Sequence, residues 1–212
     1  MEITWLGHSC FRLRSREAVV ITDPCSPETG HPIGKVTADI VTISHDHPGH
    51  NYLKAVTGKP VVITAPGEYE IAGVFITGIA TYHGGRKGSP RSKNTAYMIE
   101  MDHIRLCHLG DLGHLPTPEQ VEDMSGADVL LIPVGATNTI DVDTAAEVVG
   151  LLEPAVVIPM HYKTALSTAP LNPLQRFLTE MGLRQVEPLP KVSFNRSNLP
   201  DETQVIVLDY KR

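Results

Sequence analysis

The segment from Ser44 to Asn51 contains three histidines, His45, His47 and His50, at the spacing H-x-H-x-x-H. Neutral imidazole is the commonest metal-binding side chain in proteins. Side chains at i and i+2 of an extended segment point the same way, and a turn can bring in the third. The pattern therefore predicts a metal-binding segment, in which position 49 is a glycine without a side chain.

Other polar residues come directly after apolar segments that are typical of β-strands. His45 follows Ile40–Ile43, and the remaining members of this set are Asp23, His83, Asp111 and His161. Each residue alone has an ordinary explanation as a turn or surface residue. Because loops at strand ends converge while the sheet holds them rigid, their coincidence with the histidine segment favours one shared site.

The first half of the chain reads as a series of strands. We predict them over Ile3–Leu6, Cys10–Leu13, Ala18–Thr22, Ile40–Ile43, Val61–Thr64, Val74–Thr77, Thr95–Met101 and Ile104–Leu109. The first three are expected to be antiparallel, because short charged or Gly-containing turns separate them. The last two meet at Asp102-His103, which predicts a tight hairpin.

Helices alternate with buried strands in the second half. Thr117-Pro118-Glu119-Gln120 predicts a helix start with a capping box, and Thr144–Glu147 repeats this logic before Val148–Leu152. Asn172-Pro173 is expected to open a helix that Gly182 closes. The apolar runs Val129–Ile132 and Val156–Ile158 predict strands covered on both faces. With no linker or repeat, we expect one α/β domain spanning residues 1–212.

Composition excludes several classes of function. The net charge is −6 and no long basic run occurs, which disfavours a nucleic-acid partner. The first residues lack the basic flank and apolar run of a signal peptide, and no apolar stretch approaches the ~20 residues that span a bilayer. The three cysteines are far apart, which indicates a reducing compartment. A cytoplasmic protein without a membrane partner is expected.

The order of these motifs resembles the metallo-β-lactamase fold superfamily. The matching residues are Asp23-Pro24, the segment His45–His50, His83, Gly110-Asp111 and Pro159–Tyr162. Two further segments, Trp5–Phe11 and His108–His114, resemble more narrowly the branch of the ascorbate-6-phosphate lactonase. The resemblance implies an αββα four-layer sandwich and a metal-dependent hydrolase of an ester, lactone, thioester or phosphodiester, acting on a small-molecule substrate.

The same resemblance implies a site for one or two divalent metal ions. Its first metal would be held by His45, His47 and His83, its second by His50 and His161, and Asp111 would bridge the two as a catalytic residue. Asp23 would accept an imidazole N–H and fix its tautomer. Zn, Mn and Fe suit this histidine and carboxylate set about equally.

Position 49 departs from the family motif H-x-H-x-D-H, whose aspartate binds the second metal. Asp46 lies between two ligand histidines and is expected to face away from their metal, as a turn residue. Gly49 therefore predicts a weakened second site and slowed or lost hydrolysis. The alternative function is a catalytically impaired or regulatory protein that keeps the fold.

His8, in the Gly7-His8-Ser9 loop, is a second candidate catalytic residue, and the sequence leaves open whether it contacts substrate or is structural. The sequence also leaves open whether Asn94 contacts substrate or belongs to a turn. His108 and Cys107 are expected to pack and hydrogen bond inside a strand, whereas His114 lies in a loop that could reach the site.

A basic loop follows His83 and contains Arg86, Lys87, Arg91 and Lys93. It could clamp an anionic substrate or be an ordinary solvated loop. The sequence also leaves open whether the chain is a monomer or a homo-oligomer.

Overall fold

The computed structural model describes residues 1–84 and 91–210. Its strands, in chain order, are β1 (Glu2–Gly7), β2 (Cys10–Arg14), β3 (Val19–Thr22), β4 (Val36–Thr37), β5 (Ile40–Thr42), β6 (Val56–Thr57), β7 (Val61–Ile63), β8 (Gly67–Ile71), β9 (Val74–Gly84), β10 (Arg91–Met101), β11 (Ile104–His108), β12 (Val129–Pro133), β13 (Val156–Met160), β14 (Val192–Ser193) and β15 (Gln204–Val205). Its α-helices are α1 (Pro118–Met124), α2 (Val142–Leu152) and α3 (Leu174–Glu180). Among these helices, none has the length and apolar content that a bilayer crossing requires.

The strands form two main sheets within the described ranges. The first has the order β14-β1-β2-β3-β5-β7, and the second has the order β15-β13-β12-β11-β10-β9-β8. The predicted antiparallel start is confirmed, since β1, β2 and β3 pair antiparallel, while β3, β5 and β7 are parallel. In the second sheet, β11, β12 and β13 are parallel. The ends of these parallel strands therefore open at one edge of each sheet, where a site can form.

The core lies between the two sheets. Side chains alternate along each strand of the first sheet: Val20 and Ile40 belong to the large central cluster, whereas Ile21 and Val41 belong to a smaller cluster on the other face. Residues of α1 and α2 join the large cluster from the far side of the second sheet. The smaller cluster is completed by the segment between β3 and β6, which includes two short 3₁₀ helices. The predicted α/β sandwich of layers is confirmed.

The turn between β10 and β11 shows why short-range predictions succeed here. Met101 pairs with Ile104, which leaves Asp102 and His103 as the two loop residues, and both have left-handed backbone angles, with φ of 53° and 62°. This is the conformation of a type I′ turn, which matches the twist of the flanking strands. The predicted tight hairpin is confirmed.

Helix starts were predicted with mixed success. At α1 the capping box is confirmed: Gln120 N–H donates to the Thr117 hydroxyl, and the Gln120 side chain accepts from the Thr117 N–H. At α2 the predicted Thr144 cap is wrong. Asp141 caps this helix instead, and its carboxylate accepts from both the N–H and the hydroxyl of Thr144 at 3.1 and 2.6 Å. The helix therefore begins one turn earlier than predicted, with an aspartate at the N-cap, and Thr144 lies inside its first turn. At α3, Pro173 occupies the cap position without a side-chain bond.

Candidate metal centre

Loops at the ends of three strands, together with the interior of a fourth strand, bring the predicted ligands together. His45, His47 and His50 follow β5, Asp111 follows β11, and His161 follows β13. His83 lies within β9 rather than after it, because β9 stays paired with β10 as far as Gly84 and Arg91. The predicted strand end before His83 is therefore wrong, yet the side chain still reaches the site.

Asp111 lies at the centre of the cluster. Its Oδ2 atom is 3.4 Å from His50 Nε2 and 3.9 Å from His45 Nε2. Its Oδ1 atom is 3.5 Å from His161 Nε2. The two carboxylate oxygens thus face different histidines, which is the arrangement that a carboxylate shared between two cations requires.

The histidines form two groups that could each hold a metal ion. In the described part of the chain, the ligand nitrogens of His45, His47 and His50 lie within 4.8 Å of one another, and so do those of His8, His50 and His161. His83 lies beside the first group, with its ring centroid 4.4 Å from that of His45. Because His50 belongs to both groups, the two positions are adjacent.

Asp23 holds the shared histidine in place. Its Oδ2 atom accepts from His50 Nδ1–H at 2.7 Å and from the Ser44 hydroxyl at 2.6 Å. Its Oδ1 atom accepts from the Ser44 N–H at 2.7 Å. With Nδ1 engaged, His50 turns Nε2 towards Asp111. The role predicted for Asp23, orienting a ligand imidazole, is the one its contacts support.

Asn94 holds Asp111 in place through a hydrogen bond to its backbone. Its Oδ1 atom accepts from the Asp111 N–H at 3.0 Å, and its Nδ2 group donates to Thr81 Oγ1 at 2.7 Å and to Leu109 O at 3.0 Å. Gly110 has a φ of 57°, and a Cβ there would lie 2.5 Å from Asn94 Oδ1. Asn94 therefore lies in β10 rather than in a turn, and its buried side chain supports Asp111. Because Asn94 also lines the cavity beside His45, a substrate contact stays a prediction.

Backbone strain is concentrated at this edge. His8, Asp23 and His161 all have left-handed φ values, of 53°, 39° and 53°. Such angles are costly for residues other than glycine and persist where the surroundings over-determine them, often at functional sites. The backbone of His161 is tightly packed against Gly135, because a Cβ at position 135 would lie 1.9 Å from the carbonyl oxygen of His161.

The charges at the site favour a cation. Burial alone would lower the pKa of His50, but the Asp111 and Asp23 carboxylates outweigh it and raise the pKa to about 10. Burial lowers the pKa of His45 to about 4, with the charge on His50 adding to the effect. Burial, with His161 and His50, also holds the pKa of His8 well below its usual range. A cationic His50 thus lies between two carboxylates and beside neutral imidazoles. A metal ion bound at its Nε2 would take the place of the proton there, because neutral imidazole is the metal-binding form.

Several buried polar atoms at the site have no hydrogen-bond partner in the described residues. They are His50 Nε2, Asp111 Oδ1, His161 Nδ1 and His83 Nδ1. Unpartnered buried polar atoms are rare, and each calls for an explanation such as an ion. A divalent cation would satisfy His50 Nε2 and Asp111 Oδ1 together. The donor set of imidazoles and carboxylate therefore fits the metal that the sequence predicts.

The remaining polar candidates lie outside the cluster. His108 donates from Nε2 to Ser9 O at 2.9 Å and accepts the Gly110 N–H at Nδ1, as expected of a buried strand residue. Burial raises the pKa of Cys107 to about 12. His114 uses both ring nitrogens on the backbone of Tyr82 and Leu115.

Asp46 is exposed and accepts a hydrogen bond from the Asn51 side chain, as a turn residue does. Of the basic loop, Arg86 and Lys87 lie outside the described residues. Arg91 and Lys93 are exposed residues of β10.

Two cavities border the cluster. A cavity of about 660 Å³ opens beside His45, His47 and His83, and Tyr82 and Lys93 also line it. A smaller one, of about 200 Å³, is lined by His8 and Gly49 among other residues. The larger cavity falls in the range of about 300–1,000 Å³ that small-molecule sites occupy.

Asp23→Asn provides a test of the support that His50 receives. We expect metal affinity to fall roughly 10- to 100-fold, the usual cost of losing a carboxylate that orients a ligand histidine. Zinc titration calorimetry on the metal-stripped protein measures it. Asp123→Asn, at an exposed position of α1, is the matched control. Unchanged affinity in Asp23→Asn would show that His50 does not depend on this contact.

Comparison with known proteins gives consistent results. A family model described as a beta-lactamase superfamily domain matches residues 2–161. A metal-dependent hydrolase of Thermoplasma volcanium is 30% identical over 192 residues. The similarity covers 77% of this chain and 84% of that protein.

Solved structures extend the similarity. A Thermotoga maritima protein, assigned as a Zn-dependent hydrolase of the metallo-β-lactamase superfamily, is 41% identical with a TM-score of 0.82, and 99% of each chain is covered. Igni18, a metallo hydrolase of Ignicoccus hospitalis, has a TM-score of 0.65 at 20% identity and covers 92% of this chain and 99% of its own. The second likeness concerns the fold alone.

Proposed function

The chain belongs to the metallo-β-lactamase superfamily, and on that premise we propose that it is a metal-dependent hydrolase whose reaction takes place around Asp111. The observation that carries the proposal is the position of this carboxylate, with one oxygen facing His50 and His45 and the other facing His161. Divalent metal ions held there would polarise the scissile bond and lower the pKa of water towards neutrality.

The contribution of the chain itself is to hold polar groups in place before the reaction begins. Asp23 and Ser44 orient His50, and Asn94 orients Asp111 through its backbone. Asp23 and Asn94 are 0% and 1% exposed, so they need little reorganisation when charge develops. Preorganised polar groups of this kind supply a large part of enzymatic rate enhancement.

The substrate enters, in this proposal, through the larger cavity. Its size suits a small molecule, and its lining combines apolar residues such as Ala65 and Pro66 with the cationic Lys93. An anionic ester, lactone or phosphodiester fits these features. The narrower resemblance to the ascorbate-6-phosphate lactonase branch stays a prediction, as do the cytoplasmic location and the identity of the metal.

A metal-reconstitution assay tests the proposal. The stripped protein and the protein reloaded with Zn²⁺, Mn²⁺ or Fe²⁺ are assayed with a phosphodiester, a lactone and a thioester. We expect turnover of at least one class that requires metal and is lost in His47→Ala. His103→Asn, at the exposed hairpin turn, is the control and keeps activity. A metal-loaded protein that is inert on every class would support the regulatory alternative suggested by Gly49.

Lys93→Ala tests the charge of the substrate. An exposed ion pair contributes up to about 1 kcal/mol, so we expect KM for an anionic substrate to rise roughly 2- to 5-fold with kcat nearly unchanged. The effect should shrink at high salt. Lys59→Ala, an exposed lysine outside the cavity lining, is the control. Equal KM values for Lys93→Ala and wild type would remove the argument for an anionic substrate.

A further inference from the structure

Gly49 is not required by its backbone conformation. Its φ lies outside the left-handed region that favours glycine, and the residue is buried. The constraint comes from the space around it. A Cβ at this position would lie 2.9 Å from His8 Nε2, 3.2 Å from His8 Cδ2 and 3.1 Å from His47 Nδ1. The imidazole of His8 thus fills the space that a side chain at position 49 would occupy.

His8 is held in this position by contacts from both sheets. Its carbonyl oxygen accepts from Trp5 Nε1–H at 3.0 Å and from the His161 N–H at 3.1 Å. Trp5 is itself 1% exposed and part of the central core. The backbone of His8 is left-handed, with a φ of 53°, which directs the loop between β1 and β2 into the site. Contacts from both sheets therefore fix the backbone position from which this ring projects.

The ring lies among candidate ligands. Its centroid is 4.3 Å from that of His161 and 5.1 Å from that of His50. The ligand nitrogens of these three histidines are within 4.8 Å of one another. His8 is 7% exposed, which leaves little surface for a substrate contact.

We propose that His8 is a ligand of the second metal ion, together with His50, His161 and Asp111, and takes the place of the motif aspartate that Gly49 lacks. The inference rests on the proposed metal-dependent function and extends it. It reinterprets Gly49: the glycine makes room for a replacement ligand from another part of the chain.

This exchange changes the chemistry of the second site. A neutral imidazole in place of a carboxylate leaves the metal-loaded site one charge more positive than the family motif would. Imidazole suits Zn and Fe, whereas carboxylate suits Mn and Mg. The second site is therefore selective for Zn or Fe over Mn, and its more positive field favours an anionic substrate.

A ligand-swap experiment tests the inference by metal content. Wild type, His8→Ala and the double variant His8→Ala/Gly49→Asp are stripped, reloaded with Zn²⁺, desalted and analysed for zinc by mass spectrometry. We expect about two zinc ions per chain in wild type, about one in His8→Ala, and about two again in the double variant. Titration calorimetry should show that His8→Ala lowers the zinc affinity of the second site by at least about 100-fold. Losing a residue that only hydrogen bonds to a metal ligand costs up to about that much, and losing a ligand should cost no less. His103→Asn is the matched histidine control.

Metal preference separates a ligand from a structural residue. The variant His8→Asp replaces the imidazole by a carboxylate at the same backbone position, so its second site should bind Mn²⁺ better relative to Zn²⁺ than the wild-type site does. A purely structural His8 would leave this ratio unchanged.

The outcomes separate the inference from the proposed function. Retention of both zinc ions with wild-type affinity in His8→Ala overturns the inference, as does a single ion in wild type and variant alike. If wild type binds no metal, the proposed function fails as well. Should His8→Ala not fold, His8→Asp decides: a raised preference for Mn²⁺ at the second site supports the inference, and an unchanged preference overturns it.

Discussion

Asp111→Asn is expected to lower kcat/KM at least about 100-fold, since removing one preorganised charged group from an active site costs 10²–10³ in rate. The reason is the position of the carboxylate between the two histidine groups, with Oδ2 3.9 Å from His45 Nε2 and Oδ1 3.5 Å from His161 Nε2. Asparagine keeps the shape of the side chain but loses the charge that both cation positions share. Kinetics with the metal-loaded variant measure the effect.

Asp123→Asn serves as the control, because it removes one carboxylate from an exposed helix position and leaves the site intact. Zinc content measured on the same samples shows whether the lost activity follows lost metal. An Asp111→Asn protein with wild-type kcat/KM would contradict a reaction centred on this carboxylate.

Removal of the metal is expected to lower the melting temperature by about 8–16 °C. A ligand at about 1,000 times its Kd stabilises the folded state by about 4.1 kcal/mol, and each 1 kcal/mol shifts Tm by about 2–4 °C in a chain of 150–250 residues. The stripped site also leaves His50 Nε2 and Asp111 Oδ1 buried without hydrogen-bond partners in the described residues. Differential scanning calorimetry with and without chelator measures the shift.

Zn²⁺ added back to the stripped protein should restore the original Tm, which distinguishes metal loss from damage by the chelator. A second control is His47→Ala, whose Tm should respond less to the chelator than that of wild type because one site is already impaired. Equal Tm values for stripped and loaded wild type would mean that the cluster does not bind metal tightly in the folded state.

Much of the site could be predicted from the sequence because its residues follow local rules. His45, His47 and His50 lie in one short segment, so their spacing alone indicates a shared site. Asp23, Asp111 and His161 follow strands whose apolar character is plain, and parallel strands bring such ends together. The tight turn at Asp102-His103 and the capping box at Thr117 are likewise local signals.

The errors and gaps concern interactions that sequence patterns do not encode. The predicted Thr144 cap is wrong because Asp141 takes its donors. The strand before His83 runs further than predicted because pairing with β10 extends it.

The place of His8 depends on a hydrogen bond between its carbonyl and the N–H of His161, residues that are far apart in the chain. The glycine at the motif position was a signal, but only the packed sheets place His8 beside it, where we propose that it serves as the replacement ligand.

Gly49 now distinguishes two interpretations by experiment. The sequence alone predicts a weakened second site, for which Gly49→Asp would restore the missing carboxylate. The structure places His8 in the space that this carboxylate would need. Gly49→Asp alone should therefore bring no gain, and the added carboxylate should serve the second site only when His8→Ala makes room for it.

Crystals soaked in Zn²⁺, with anomalous diffraction recorded at the zinc edge, would show directly whether two metal ions lie around Asp111. We expect two anomalous peaks on either side of Asp111, one among His45, His47 and His83 and the other among His8, His50 and His161. No peak at Asp111, or a second peak without His8 in contact, would contradict the proposed pair of sites.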